Sequence, residues 1–207
     1  MKKFLVLLLV TAMACSMVAC GKDANEGNNS TVESEQNTTN ESENAAQEET
    51  QANYGEGVSL ADVKTALVET LGENYWPNTE IPAEFLNDIY GISADMYEEY
   101  YAEMPMISTN VDTVIIVKAK EDQVTAVEEA LNAYRETMVN DTMQYPMNVG
   151  KIQASRIETF GQYVCFVQLG ADTMAAAETG DEAVIEQCQQ ANELALEVIQ
   201  NTLAKNM

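Results

Sequence analysis

The alternation of apolar and polar positions divides the chain into three stretches of different character. Phe4 to Cys20 is a nearly unbroken apolar run behind Lys2 and Lys3. Gly21 to about Gly57 is Asn, Ser, Thr, Glu and Gln, with almost no large apolar residue before Tyr54. From residue 58 onward, apolar positions recur with helical and strand periods in turn. Leu60, Val63, Leu67 and Leu71 are spaced for a helix that begins at Ser59, where Asp62 three residues on comes close to a capping box, and stops at Gly72. A second, short helix is predicted from Pro82 to Gly91, with Phe85, Leu86 and Ile89 as its apolar face. Tyr100, Ala102, Met104 and Met106 alternate with Glu99, Tyr101 and Glu103, a half-buried strand. Pro105 makes it an edge strand or a bulged one. Val111 to Val117 is continuous and β-branched, as in a central strand. Val124, Val127, Leu131, Tyr134 and Met138 mark the clearest amphipathic helix. After a loop at Tyr145-Pro146, residues 151–159 and 163–169 read as a second strand pair turning at Gly161. Thr179 and Glu182 are spaced as a capping box for a long last helix carrying Val184, Cys188, Ala191, Ala195 and Val198. The predicted fold class is α+β: an antiparallel sheet of about four strands, in two hairpins, with helices packed on one face.

The first two stretches define the expected organisation. A short positive start, an apolar core and small residues at the end make a secretory signal. Seventeen residues from Phe4 to Cys20 fall short of the roughly 20 that a spanning helix needs. Met17-Val18-Ala19-Cys20 resembles the bacterial lipoprotein processing box, with Met17 where Leu is usual. That resemblance implies a signal peptide over 1–19 and fatty acylation of Cys20. It also implies anchoring on the outer face of the cytoplasmic membrane of a Gram-positive-type bacterium; Cys15 is the weaker alternative. Two acyl chains suit stable anchoring, where one binds marginally. Residues 20–57 are then a disordered acidic tether, too polar to offset its conformational entropy, with a root-mean-square span of roughly 30–35 Å. Residues 58–207 form one domain of a size able to bury a core.

Charge and composition narrow the chemistry further. Residues 58–207 hold 25 acidic and seven basic residues, a net charge of −18. Such a surface repels polyanions, so nucleic acid is excluded as a partner, and the lipid on Cys20 must supply the membrane attachment. The field favours a cationic protein, a cationic peptide or a divalent metal as partner, or serves solubility alone. The chain has no histidine. That removes Ser-His-Asp and Cys-His catalysis and His-ligated zinc. No calcium loop and no phosphate-binding glycine motif is present, and neither a metal nor a cofactor is expected.

What chemistry remains rests on carboxylates, tyrosines and two thiols. Glu98, Glu99, Glu103, Glu128, Glu129, Glu136, Glu178, Asp181, Glu182 and Glu186 are numerous enough for a carboxylate-pair hydrolase of envelope polymers, but solvated or helix-capping roles account for them. The Tyr97, Tyr100, Tyr101 cluster with Met104 and Met106 is either core strand with one tyrosine over the sheet or, through Glu99, Tyr101 and Glu103, a partner-binding surface. The edge near Pro105 also suits strand addition by a partner. Cys165 and Cys188 are either two separate buried thiols or a disulfide. The expected function is a non-enzymatic binding or interaction module outside the membrane, with the hydrolase as alternative. A two-lobed solute receptor does not fit 150 residues.

The leader, the acidic spacer and the block from Tyr100 to Lys120, with the helix from about Asp122 to Val139 and the Gly161-Gln162-Tyr163 turn, resemble a family of uncharacterised Firmicutes lipoproteins, domain of unknown function 4358, over roughly residues 58–170. The resemblance implies a surface lipoprotein and assigns no catalytic residue.

Overall fold

Ser59 caps the first helix from both directions. Its hydroxyl accepts the Asp62 N–H at 3.2 Å and the Asp62 carboxylate accepts the Ser59 N–H at 3.0 Å, so α1 (Leu60–Leu71) starts with a complete capping box. The computed structural model describes residues 54–204. The leader, Cys15, Cys20 and the spacer to residue 53 lie outside the described residues, as do residues 205–207.

After α1 and a single 3-10 turn over Gly72–Asn74 come β1 (Thr79–Glu80) and α2 (Ala83–Tyr90). The β2 (Tyr97–Met104) and β3 (Thr113–Ala119) strands form a hairpin, followed by α3 (Val124–Asn140) and α4 (Pro146–Ala154). A second hairpin, β4 (Arg156–Phe160) and β5 (Tyr163–Gln168), leads into α5 (Met174–Ala177) and α6 (Asp181–Leu203). The sheet has five strands in the order β1-β2-β3-β5-β4, and every pairing is antiparallel. The fold is α+β, with β3 and β5 joining the two hairpins side by side.

The helices flank both faces of the sheet rather than one. Val114, Ile116, Cys165 and Val167 pack against Leu60, Val63 and Leu67 of α1 and Ala195 and Ile199 of α6. The intervening Ile115, Val117, Val164 and Phe166 pack against Leu86 of α2 and Val127 and Leu131 of α3. The cause lies in the runs themselves. β3 and β5 have no wet face, and a strand apolar on both sides must be covered on both sides.

Four local expectations are corrected. Residues 146–154 are helix where strand was expected from residue 151. Pro146 occupies the first turn, where its missing N–H costs nothing. The buried residues of α4 are Asn148, Gly150, Lys151, Ile152 and Ala154, and the two polar side chains among them hide the helical period. On α2, Phe85 and Ile89 are exposed while Leu86 and Tyr90 turn inward, because only one stripe of this short helix reaches the sheet. Thr179 does not cap α6. Its N–H closes α5 on the Ala176 carbonyl, and α6 starts from Gly180 with no side-chain cap. Pro105 follows β2 and is buried, and the outer edge beside it is already occupied. Asn78 N–H donates to the Met104 carbonyl at 3.1 Å and Ile81 N–H to that of Ala102 at 2.9 Å, so no strand-addition site exists there. Gly161 does make the β4–β5 turn, at φ +59°.

Candidate functional site

The strand that suggested a partner surface faces inward for most of its length. Glu99 is exposed and Tyr101 half-buried, but Glu103 is only 6% exposed. Glu103 meets Lys64 of α1 in an ion pair and accepts the Tyr101 hydroxyl at 2.6 Å and that of Tyr75 at 3.3 Å. The Tyr75 and Tyr101 hydroxyls are 2.6 Å apart. Burial pushes both phenols above the usual tyrosine range; for Tyr101 the Glu103 hydrogen bond adds to it, whereas for Tyr75 the bond with Tyr101 pulls the other way. α1 covers this face, so the carboxylate and two phenols act as an internal clamp between α1 and β2, and only Glu99 of the trio remains open to a partner.

The concave site lies at the end of the sheet where β2 finishes, β3 begins and β5 ends. A cavity of about 530 Å³ opens between the β2–β3 loop, residues 75–78, the first turns of α4 and the segment after β5. That volume is within the range of small-ligand sites. Met106, Ile107, Met147 and Met174 form its rim, each between 63% and 79% exposed, with the ring of Trp76 beside them. Such a concentration of exposed apolar side chains is unusual for surface facing water alone. Methionine side chains are unbranched and polarizable, so a rim of them can repack around different occupants.

The floor is ionic and closed. Lys151, from α4, is 4% exposed and Asp112, from the start of β3, is 0% exposed. Lys151 Nζ donates to Asp112 Oδ1 at 2.6 Å, to the Ala171 carbonyl at 2.8 Å and to Asn110 Oδ1 at 3.4 Å, and lies 5.1 Å from the Trp76 ring centroid. Asp112 Oδ2 accepts the N–H groups of Gly170 at 3.3 Å and Ala171 at 2.9 Å. All three ammonium hydrogens and both carboxylate oxygens therefore have partners. Burial raises the Asp112 carboxyl above the ordinary range, with Lys151 and the two N–H groups pulling the other way. The pair clamps the segment after β5, where Ala171 holds a left-handed φ of +49°. Gly170 is required by close approach: a Cβ there would come within 2.7 Å of Cys188 Sγ and 3.0 Å of Lys151 Cε and Cγ. Asn148 Nδ2 ties α4 to the Thr109 carbonyl at 3.0 Å.

The remaining candidates are dispersed. Glu98, Glu99, Glu128, Glu129, Glu136, Glu178, Asp181, Glu182 and Glu186 are exposed. Among the described residues no group of three or more Asp, Glu or Cys is placed to hold a metal, and no helix is long and apolar enough to cross a membrane. Cys165 and Cys188 are free and buried. Burial lifts the Cys188 thiol to about 11 and moves that of Cys165 further up, so both stay protonated and unreactive at neutral pH.

Sequence reasoning missed Trp76, Asp112, Met147, Lys151 and Met174. The one available signal was compositional: the only tryptophan of the chain and one of few lysines in an acidic domain. No curated protein and no solved structure matches the chain. Residues 70–169, which hold all five strands, α2 to α4 and most of the cavity wall, match the model of the family described as Domain of unknown function (DUF4358).

Proposed function

We propose that the chain is a lipid-anchored, non-enzymatic binding module displayed outside the membrane, with the cavity beside Trp76 as its binding site. The leader ending at Cys20 and the acidic spacer behind it support the location. One observation carries the binding role: an apolar, methionine-rimmed concavity stands over an ionic floor whose donors and acceptors are all engaged. Such a floor supports the shape of the site and holds Lys151 and Asp112 in mutual neutralisation. The hydrolase alternative has less support, because Asp172 is the one carboxylate on the lining and faces no second one there. Asp112 is held by Lys151 and two backbone N–H groups, and Asp172 accepts the Met174 N–H at 2.9 Å.

Trp76, the only tryptophan in the chain, is a built-in reporter. Titrating the full chain with the neutral apolar dye N-phenyl-1-naphthylamine is expected to give saturable energy transfer from Trp76. Ile107→Glu or Met147→Glu, both at exposed rim positions, is expected to weaken it by about tenfold or more. Absence of saturable transfer, or transfer unchanged in both variants, rejects the cavity as the binding site.

A further inference from the structure

We infer that the cavity takes an apolar side chain presented on a cationic polypeptide segment of a partner protein; this rests on the cavity being the binding site. Three observations converge on that occupant.

The first is charge. Among the described residues there are six cations, and each is already engaged. Lys64 pairs with Glu103, Lys118 with Glu98, Lys151 with Asp112, and Arg156 with Glu158 and Glu193. Lys120 donates to the Asp95 carbonyl, and Arg135 to those of Ser155 and Gln153. At the cavity itself the only cation, Lys151, is buried and neutralised, while Asp172 is an exposed carboxylate on the lining. An anionic headgroup, such as that of a fatty acid or an acidic phospholipid, would find no counter-charge at the mouth. A cationic flank meets a field of the opposite sign over the whole domain.

The second observation is position. The chain enters the domain at the β4–β5 turn, where the Tyr54 ring lies 5.8 Å from that of Phe160 and the Gly55 N–H donates to the Leu203 carbonyl at 2.8 Å. The cavity sits at the other end of β5, six residues or about 20 Å away. Tyr54, where the described chain begins, therefore lies at the end of β5 opposite the cavity, so the first residues of the domain do not cover the mouth.

The third is the poverty of internal competitors. The spacer before Tyr54 is acidic and nearly devoid of large apolar residues, so it has nothing to place in the cavity. A second copy of a domain of net charge −18 is repelled before contact. An apolar anchor flanked by positive charge satisfies both the rim and the field, and the methionines of the rim accommodate more than one anchor shape.

Two synthetic peptides free of tryptophan and tyrosine provide the probe. They share the same Leu and Phe positions and carry either Lys or Glu at the remaining ones. Trp76 emission of the full chain is recorded with each peptide, and with oleate. The Lys peptide is expected to bind saturably and to weaken at least about tenfold when salt is raised from about 0.05 M to about 0.5 M. Ile107→Glu is expected to weaken the neutral dye and leave the Lys peptide short of its apolar anchor site. Asp172→Asn, which keeps an oxygen for the Met174 N–H, is expected to weaken the Lys peptide severalfold more than it weakens the neutral dye; an equal effect on both overturns the role of charge. If the Glu peptide or oleate binds as tightly as the Lys peptide, the inference is overturned and the cavity reading survives. A Lys peptide indifferent to Met147→Ser also overturns it, since binding is then to the diffuse acidic surface. A concentration-dependent change in Trp76 emission without peptide assigns the cavity to a second copy and overturns it too. Failure of the neutral dye as well as both peptides removes the cavity reading itself.

Discussion

At the scale of single residues, Lys151 and Asp112 set the shape of the cavity by neutralising each other out of water. Taking either charge away alone leaves the other buried without a counter-ion, which costs far more than the pair contributes. Lys151→Met is expected to destabilise the domain by about 3–5 kcal/mol. Adding Asp112→Asn in the same chain is expected to recover most of that loss, because the asparagine oxygen still accepts the Gly170 and Ala171 N–H groups while the charge is gone. Urea unfolding of the single and double variants measures the difference. Equal stabilities for the two would show that the charges are not coupled. None of this is visible in the residue types. Asp112 lies in a loop-to-strand junction and Lys151 39 positions further on, and only the packing of both against the segment after β5 makes them neighbours.

At the scale of elements, a few buried polar side chains fasten the layers within a mainly apolar core. Asn192, fully buried on α6, accepts the Leu169 N–H through Oδ1 at 2.8 Å and donates from Nδ2 to the Ala154 carbonyl at 2.8 Å. One side chain thus fastens the end of β5 and the end of α4 to α6. Asn192→Leu fits the apolar pattern of the helix but strands a buried donor and a buried acceptor. It is expected to cost about 3 kcal/mol in thermal or urea unfolding; a loss under about 0.5 kcal/mol would show that the two backbone groups find other partners. The same principle explains why the end of α4, from Lys151, reads as strand in the sequence. Its inward face carries Asn148 and Lys151, so the helical spacing is present in geometry but absent from hydrophobicity. α1, α3 and the two central strands bury mainly apolar side chains, and their periods were legible for that reason.

At the scale of the whole molecule, the proposed display of this acidic domain outside the membrane rests on Cys20. Cys20→Ser is expected to move the protein out of the membrane fraction, or to leave it as an unprocessed precursor, when cell fractions are compared by immunoblot. Normal processing and retention of the variant would refute the lipid anchor.

The linear pattern determined whatever depends on neighbours in sequence. The capping box at Ser59, the Gly161 turn, the period of α1 and α3, the central character of β3 and β5 and the α+β class all follow from contacts within a few residues or from side chains that are simply apolar. Long-range closure decided the rest. The continuous runs of β3 and β5 required cover on both faces, but which helices would supply it depended on chain crossings that the pattern does not encode. Glu103 reads as a surface residue by its charge and becomes an internal one because α1 brings Lys64 over it. The cavity is assembled from residues 75–78, 105–110, 147–151 and 171–174, four segments with no common motif. Sequence periodicity reports which way a side chain faces within its own element; which element comes to meet it is fixed by tertiary packing alone.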